Sequence, residues 1–213
     1  MANVKGRGVR VEIAATYGSP VTVSAVTNAS PGVATSTSHG LANGTVGYWS
    51  SVGGMAQLEG QATRVKNSAT NAFDLQGLNT TNYSAYTSGT YTPVSTWQTL
   101  AEATGYRFGG GASEKLNATC LIHTTDQEEQ GNLPADTCQI GVLAQDTPSS
   151  AMQLLESAVQ SQGAVVVRIT LANGAVRVFR GEPSLPGEDV QQGQLGTGSL
   201  DISVKGLVLK LAA

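Results

Sequence analysis

The sequence predicts a mainly β protein, a β-sandwich or barrel flanked by one α-helix (about residues 148–162) and carrying an inserted small β domain. Three observations lead there. Apolar residues recur mostly with period two and are rich in β-branched types; Gly and Asn-Gly punctuate the runs; and a single stretch holds apolar residues at helical spacing between a capping start and a glycine stop.

Taken in order, the arm Met1–Gly8 is polar, after which Val9, Val11 and Ile13 alternate with Arg10 and Glu12 and define one face of a first strand. From Val21 to Thr92 the composition shifts to Ser, Thr, Asn and Gly with scattered aromatics, and turn signals recur as they do between the short strands of a small barrel or sandwich. Ser19-Pro20 and Pro93 bound this stretch, each a proline beside small polar residues, as at linkers between compact units. The chain therefore divides into one β domain, residues 1–20 plus 93–213, and an inserted outer module, residues 21–92.

After a segment of mixed character, Trp97 to Tyr106, and the cluster Gly109-Gly110-Gly111, two alternating strands are expected, Leu116–His123 and Cys138–Gln145, separated by the polar stretch Thr124–Thr137. Leu116, Ala118, Cys120 and Ile122 share one face of the first; Cys138, Ile140, Val142 and Ala144 share one face of the second. Both thiols thus fall on apolar faces. Thr147 is placed to N-cap the helix, Pro148 suits its first position, and Gly163 closes it, with Met152, Leu155, Ala158 and Val159 forming the apolar stripe. Asn173-Gly174 marks a hairpin between Ala164–Leu171 and Ala175–Arg180; a two-residue type I′ loop pairs Leu171 with Val176 and Ile169 with Val178. Leu200, Ile202 and Val204 alternate, the phase slips at Gly206, and it resumes as Leu207, Leu209 and Leu211. A glycine at a phase slip predicts a β-bulge.

Composition narrows the function. The 213 residues hold 12 Lys+Arg against 15 Asp+Glu, a formal charge of −3, so no broad basic surface is present to grip a phosphate backbone. Charged residues make up 13 % of the chain, against about 25 % ordinarily. So neutral a surface suits a protein that covers itself with its own copies. No apolar run approaches the ~18 residues of a membrane helix. Met1–Arg10 lacks the apolar core of a secretory leader, which with two cysteines predicts synthesis in a reducing cytoplasm.

Catalytic and metal chemistry find little support. His39 and His123 are the histidine bases on offer, His39 in a turn-rich stretch and His123 on the polar face of its strand, and no Gly-x-Ser-x-Gly elbow accompanies them. Cys120, His123 and Cys138 supply three zinc ligands where a structural site takes four, and positions 120 and 123 of a strand point to opposite sides. The run Gly109–Lys115 lacks the Gly-Lys-Ser/Thr ending of a phosphate loop. Asp126, Glu128 and Glu129 match no EF-hand spacing and read as a solvated or subunit-contacting loop. Tyr48, Trp49, Tyr83, Tyr86 and Tyr91 suit barrel packing, with a sugar platform as the other use of such residues. No metal or cofactor is called for, and an enzyme is not expected.

The segment Gly111-Ala112-Ser113-Glu114-Lys115-Leu116-Asn117-Ala118-Thr119, then Glu129, then Gly131-Asn132-Leu133-Pro134-Ala135-Asp136, together with the order of strands, capped helix, Asn-Gly hairpin and last strand, resembles the major tail tube proteins of phages with long flexible tails. Asn28-Ala29-Ser30-Pro31, Thr37-Ser38-His39-Gly40-Leu41, Gly53-Gly54-Met55, Phe73-Asp74-Leu75 and Tyr83–Gly89 are similar to a small β module that recurs in phage tail proteins. Two stretches depart from that pattern, the Gly-, Gln- and Pro-rich residues 182–198 and the glycine-heavy residues 104–115, and read as contact loops.

The resemblance implies a structural subunit of the virion tail. Six copies would form a ring, rings would stack helically, and inward sheets would join into one barrel around a lumen that carries double-stranded DNA to the host. The tape measure protein and a tail terminator are the further partners it implies, with no membrane. Lumen-facing candidates are Asn117, Thr119, His123, Gln139 and Gln145, all uncharged; ring-stacking candidates are Asn3, Lys5 and Arg7 of the arm and Asp126, Glu128, Glu129 and Asp136 of the polar loop. Arg168 and Arg177, alternating away from the hairpin's apolar face, fit either the lumen or a subunit contact. The alternative is another tail component, a terminator or a fibre-associated, glycan-binding protein.

Overall fold

In the computed structural model, residues 8–109, 115–120, 122, 124–131, 136–185 and 187–213 are described. The strands are β1 (Arg10–Tyr17), β2 (Val21–Val23), β3 (Ala25–Val26), β4 (Val33–Thr35), β5 (Val46–Gly53), β6 (Ala62–Lys66), β7 (Ala72–Leu75), β8 (Ser88–Thr99), β9 (Ala103–Gly109), β10 (Lys115–Asn117), β11 (Glu128–Gln130), β12 (Thr137–Leu143), β13 (Val165–Thr170), β14 (Val176–Pro183), β15 (Gly187–Asp189) and β16 (Thr197–Leu211); the one α-helix, α1, is Ser150–Gln160. All but β10 and β11 join a single antiparallel sheet in the order β3-β4-β7-β6-β5-β8-β1-β13-β14-β16-β12-β9, with β2 added to β8 and β15 to β16. The mainly β class and the single helix are as the sequence predicts.

The sheet curls around two cores. The first holds the aromatics of residues 21–92: Trp49, Phe73 and Tyr91 are fully buried, Tyr48, Tyr83 and Tyr86 pack on them, and Val166, Val178, Leu209 and Leu211 reach in from β13, β14 and β16. The second lies between α1, β1, β9, β12 and the other faces of β13, β14 and β16, and Phe108 of β9 meets Phe179 of β14 there at 5.5 Å. Strands β13 and β14 are therefore apolar on both faces. That explains a difference in register. The hairpin pairs Thr170 with Val176 and Arg168 with Val178, one residue away from the pairing expected, through a three-residue loop in which Leu171 N–H donates to Ala175 O and Gly174 takes φ +82°. With both faces apolar, alternation does not choose a register, and the turn decides it.

The bulge in β16 is present. Val178 pairs with Leu209 but Arg180 with Lys205, so three residues of β16 oppose one of β14, and Gly206 has φ +77°. Before it Leu200, Ile202 and Val204 face the second core; after it Leu209 and Leu211 face the first. Gln61, 1 % exposed, fills the bulge: Leu207 N–H donates to its Oε1 at 2.6 Å and its Nε2 donates to Leu207 O at 2.9 Å.

Other expectations are corrected. The strand drawn over Leu116–His123 shrinks to β10, which pairs with β11 inside the supposed polar stretch; β12 is flanked by β9 and β16 instead. Ile122 is 87 % exposed and Cys120 is exposed, whereas Cys138 is buried, so only one thiol sits on an apolar face. Residues 97–109 hold the end of β8 and all of β9, and residues 182–198 contain β15. Pro93 lies within β8, at the point where that strand's partner changes from β5 to β1. The helix cap is Ser149, whose Oγ accepts from Met152 N at 3.3 Å, in place of Thr147, because Ser149 N–H is itself held by Glu102 Oε1 at 3.1 Å. At the other end Gln162, with φ +51°, takes the left-handed position expected of Gly163, whose N–H donates to Ala158 O.

Candidate assembly surfaces

Around the second core the curled sheet turns one face inward, and its outward face is treated differently at its two ends. Over β13, β14 and the end of β16 it is covered by the 21–92 stretch, β6 lying against β14 and β16. Besides Gln61, two contacts to Tyr48 join the two parts, and a third group of contacts, around Arg168, lies within residues 1–20 plus 93–213. The Arg180 guanidinium stacks 4.2 Å above the Tyr48 ring; Tyr17 meets Tyr48 edge-on and its Oη accepts from Val166 N at 3.3 Å; Arg168 stacks at 4.2 Å on Trp97 while its Nε donates to Glu12 Oε2 at 2.8 Å. Burial raises the Tyr17 hydroxyl above its usual range. Arg168, expected at the lumen or a subunit contact, is thus engaged within the chain.

At the other end, over β9, β12 and the first half of β16, the outward face is open. Its rows are read from the registers: Gly105, Gly141 and Ser199 form one, Arg107, Gln139 and Asp201 the next, and Gly109, Thr137 and Ser203 a third, followed by Glu182. Small residues leave this face shallow and polar. Its ionic groups nearly balance, Arg107 and Lys205 against Asp201, Glu182 and, opposite Thr197 on β15, Asp189, and Lys205 and Glu182 are in contact at 2.5 Å. The residues alternating with them, Cys138, Ile140, Val142, Leu200, Ile202 and Val204, are buried beneath. Burial, and then the carboxylates of Asp136 and Asp201, push the Cys138 thiol up to about 12.

This four-stranded portion, β9-β12-β16-β15, ends in two strands that carry no further partner among the described residues, β9 on one side and β15 on the other. Each leaves a line of backbone N–H and C=O groups without a ladder, which is a template for another strand.

The expected lumen residues do not gather on one surface. Gln139 lies on the open face; Gln145 is exposed beyond β12 beside the start of α1; Asn117 and Thr119 belong to the β10–β11 hairpin, where Asn117 Oδ1 accepts from Thr119 N at 2.8 Å and Thr119 Oγ1 from Gln127 N at 2.9 Å; His123 lies outside the described residues. Of the stacking candidates, Asp126, Glu128 and Glu129 are exposed on or beside that hairpin, with Lys115 bonded to Glu128; Asp136 is half-buried and its carbonyl accepts from Val204 N; Asn3, Lys5 and Arg7 lie outside the described residues. Sequence reasoning missed β9 altogether, since its apolar residues Tyr106 and Phe108 are flanked by Gly105 and Gly109 and read as part of a glycine-heavy loop. His39 is structural: its Nδ1 accepts from Leu41 N, and its ring meets Phe73 edge-on at 5.1 Å. Among the described residues no three His, Cys, Asp or Glu side chains converge as a metal site requires, and no helix is long and apolar enough to cross a membrane.

A family model described as phage tail tube protein, TTP, matches residues 53–212 of this chain. No curated protein matches it.

Proposed function

The chain belongs to the phage tail tube protein family, a structural component of the virion tail that assembles into the tube, and from that premise we propose that six copies close a ring by strand pairing and that rings stack into the conduit for the genome. The observation that carries this reading is the four-stranded portion with two bare edges. If β9 of one copy pairs with β15 of the next, the contact is heterologous, each copy uses a different edge, and repetition closes a ring with no strand left over. An isologous pairing of β9 with β9 would stop at a dimer.

The same geometry supports the orientation. The open face and the face covered by residues 21–92 lie at opposite ends of a sheet wrapped around one core, so when the open face lines the lumen the covered face is turned outward. Residues 21–92 then form an outer module on a tube-forming domain of residues 1–20 plus 93–213. Gln139, with Arg107, Asp201 and Ser199 beside it, would meet the DNA. A wall of small polar groups with nearly balanced, slightly acidic charge neither collects counterion-release affinity for phosphates nor strongly repels them. Synthesis in the host cytoplasm, the tape measure protein inside the growing tube and a terminator at its end complete the proposal.

Negative-stain images of the purified protein test it. Long hollow rods are the expected result; a species that stays at subunit mass at every concentration overturns it, and single rings that never stack assign the protein to the tail terminus. Lysine placed at Gln139 and Ser199 should leave rods intact and slow DNA release from virions carrying the variant.

A further inference from the structure

Beside the β15 edge lies a pocket of about 360 Å³ between the β8–β9 turn, the end of β12 and the start of α1. Its walls are apolar, from Val142, Met152 and Leu185, and three carboxylates line it, Glu102, Glu156 and Glu188. Glu102 is the unusual one. It is 7 % exposed; its Oε1 accepts from Ser149 N at 3.1 Å, but its Oε2, although buried, has no hydrogen-bond partner among the described residues. A buried carboxylate oxygen without a donor is costly, and native structures rarely leave one. Leu185, at the rim, is 67 % exposed.

We propose that this pocket is a socket for a basic side chain, Lys5 or Arg7, from the amino-terminal arm of a neighbouring copy. The proposal rests on the tube reading above and deepens it. A long side chain with an aliphatic stem and a cationic head matches apolar walls with a carboxylate at the bottom. The two outer carboxylates, half-buried Glu156 and exposed Glu188, draw a cation toward the mouth. Charge complementarity names the donor: residues 1–11 hold Lys5, Arg7 and Arg10 and no acid, and Arg10 already lies 3.9 Å from Glu12. The neighbouring copy is the source because Gly187 and Glu188, which line the pocket, belong to β15, the edge offered to the next subunit.

The test compares assembly thresholds. Glu102→Gln keeps the shape and removes the charge; the concentration needed for rods should rise at least tenfold while the melting temperature of the unassembled subunit holds or rises. Lys5→Glu combined with Arg7→Glu should raise it as much while the melting temperature of the unassembled subunit again holds, and all three changes together should do little more. In rods built from a mixture of light and nitrogen-15 protein, carbodiimide should couple Lys5 to Glu102, Glu156 or Glu188 between a light and a heavy chain. Couplings confined to chains of one isotope show that each arm serves its own pocket and overturn the proposal, as do unchanged thresholds in both variants. Wild-type protein that forms no rods is a separate result, which removes the tube reading itself.

Discussion

Residues 21–92 and the β9-β12-β16-β15 portion are built from similar short antiparallel strands, yet one closes on itself and the other does not. In the first, the chain from Val21 to Val26 pairs with β8 through β2 and then with β4 through β3, and β6 turns from β5 to β7 in the same manner, so the circuit β8-β2/β3-β4-β7-β6-β5-β8 is complete. Corner strands that change partners leave no edge bare. In the second, β9 and β15 are left at the margins. What separates them is closure, and bare edges are what the proposed ring would pair.

Trp49→Ala probes the closed part and has the largest expected effect. Trp49 is fully buried, packs on Tyr91 at 5.5 Å and donates from Nε1 to Thr63 Oγ1 at 3.0 Å. Its loss should cost about 3–5 kcal/mol. Since Val166, Val178, Leu209 and Leu211 share that core, calorimetry should show one lowered transition for the whole chain; two separate transitions would break the comparison into independent domains. On the open side, the difference in alkaline stability between the parent protein and Cys138→Ala reports Cys138, since the raised hydroxyls of Tyr17, Tyr86 and Tyr91 act in the same direction at the upper end of the window in both. The folded pKa of Cys138, about 12, stands above the ordinary thiol value, so the unfolded chain loses its proton first and stability falls as pH rises from about 9 to 12, by up to ~1.4 kcal/mol per unit. Below pH 8 this contribution is fully present. Cys138→Ala should flatten that part of the melting curve against pH, and an unchanged slope would show that the thiol is not held neutral.

Gln61→Ala tests the seam between the two parts. It strips both hydrogen bonds from the Leu207 backbone N–H and C=O inside the bulge and should cost about 1–3 kcal/mol in chemical denaturation. Gly206→Ala should act similarly, because a Cβ there would strike Gln61 Oε1 and the residue holds φ +77°. Smallest is the helix cap: Ser149→Ala should cost about 1 kcal/mol and Thr147→Ala close to nothing, a contrast that equal melting temperatures would erase.

Alternation in the sequence served well where a strand is covered on one face, as with Leu200, Ile202 and Val204, and it misled in two opposite situations. Strands β13 and β14 are apolar on both sides, so matching Ile169 to Val178 fitted the pattern and was one residue out. Leu116, Ala118, Cys120 and Ile122 alternate as a buried strand does, yet past Asn117 the strand ends and Ile122 is exposed. Of the candidate surface, Gln139 was legible as the polar side of an apolar strand; Glu102 was not, because its significance lies in Ser149 and α1 closing around one oxygen from 47 residues away.

The sequence by itself determined the mainly β class, the hairpin position, the bulge at Gly206, the place of the helix and the neutral surface, since periods of 2 and 3.6, positive-φ glycines and charge counts are properties of neighbouring residues. Only the tertiary structure decided which strands sit next to β12, which edges stay bare, and which carboxylate is buried without a donor. Those depend on what covers each face, and the covering groups come from distant parts of the chain, where no local pattern records them.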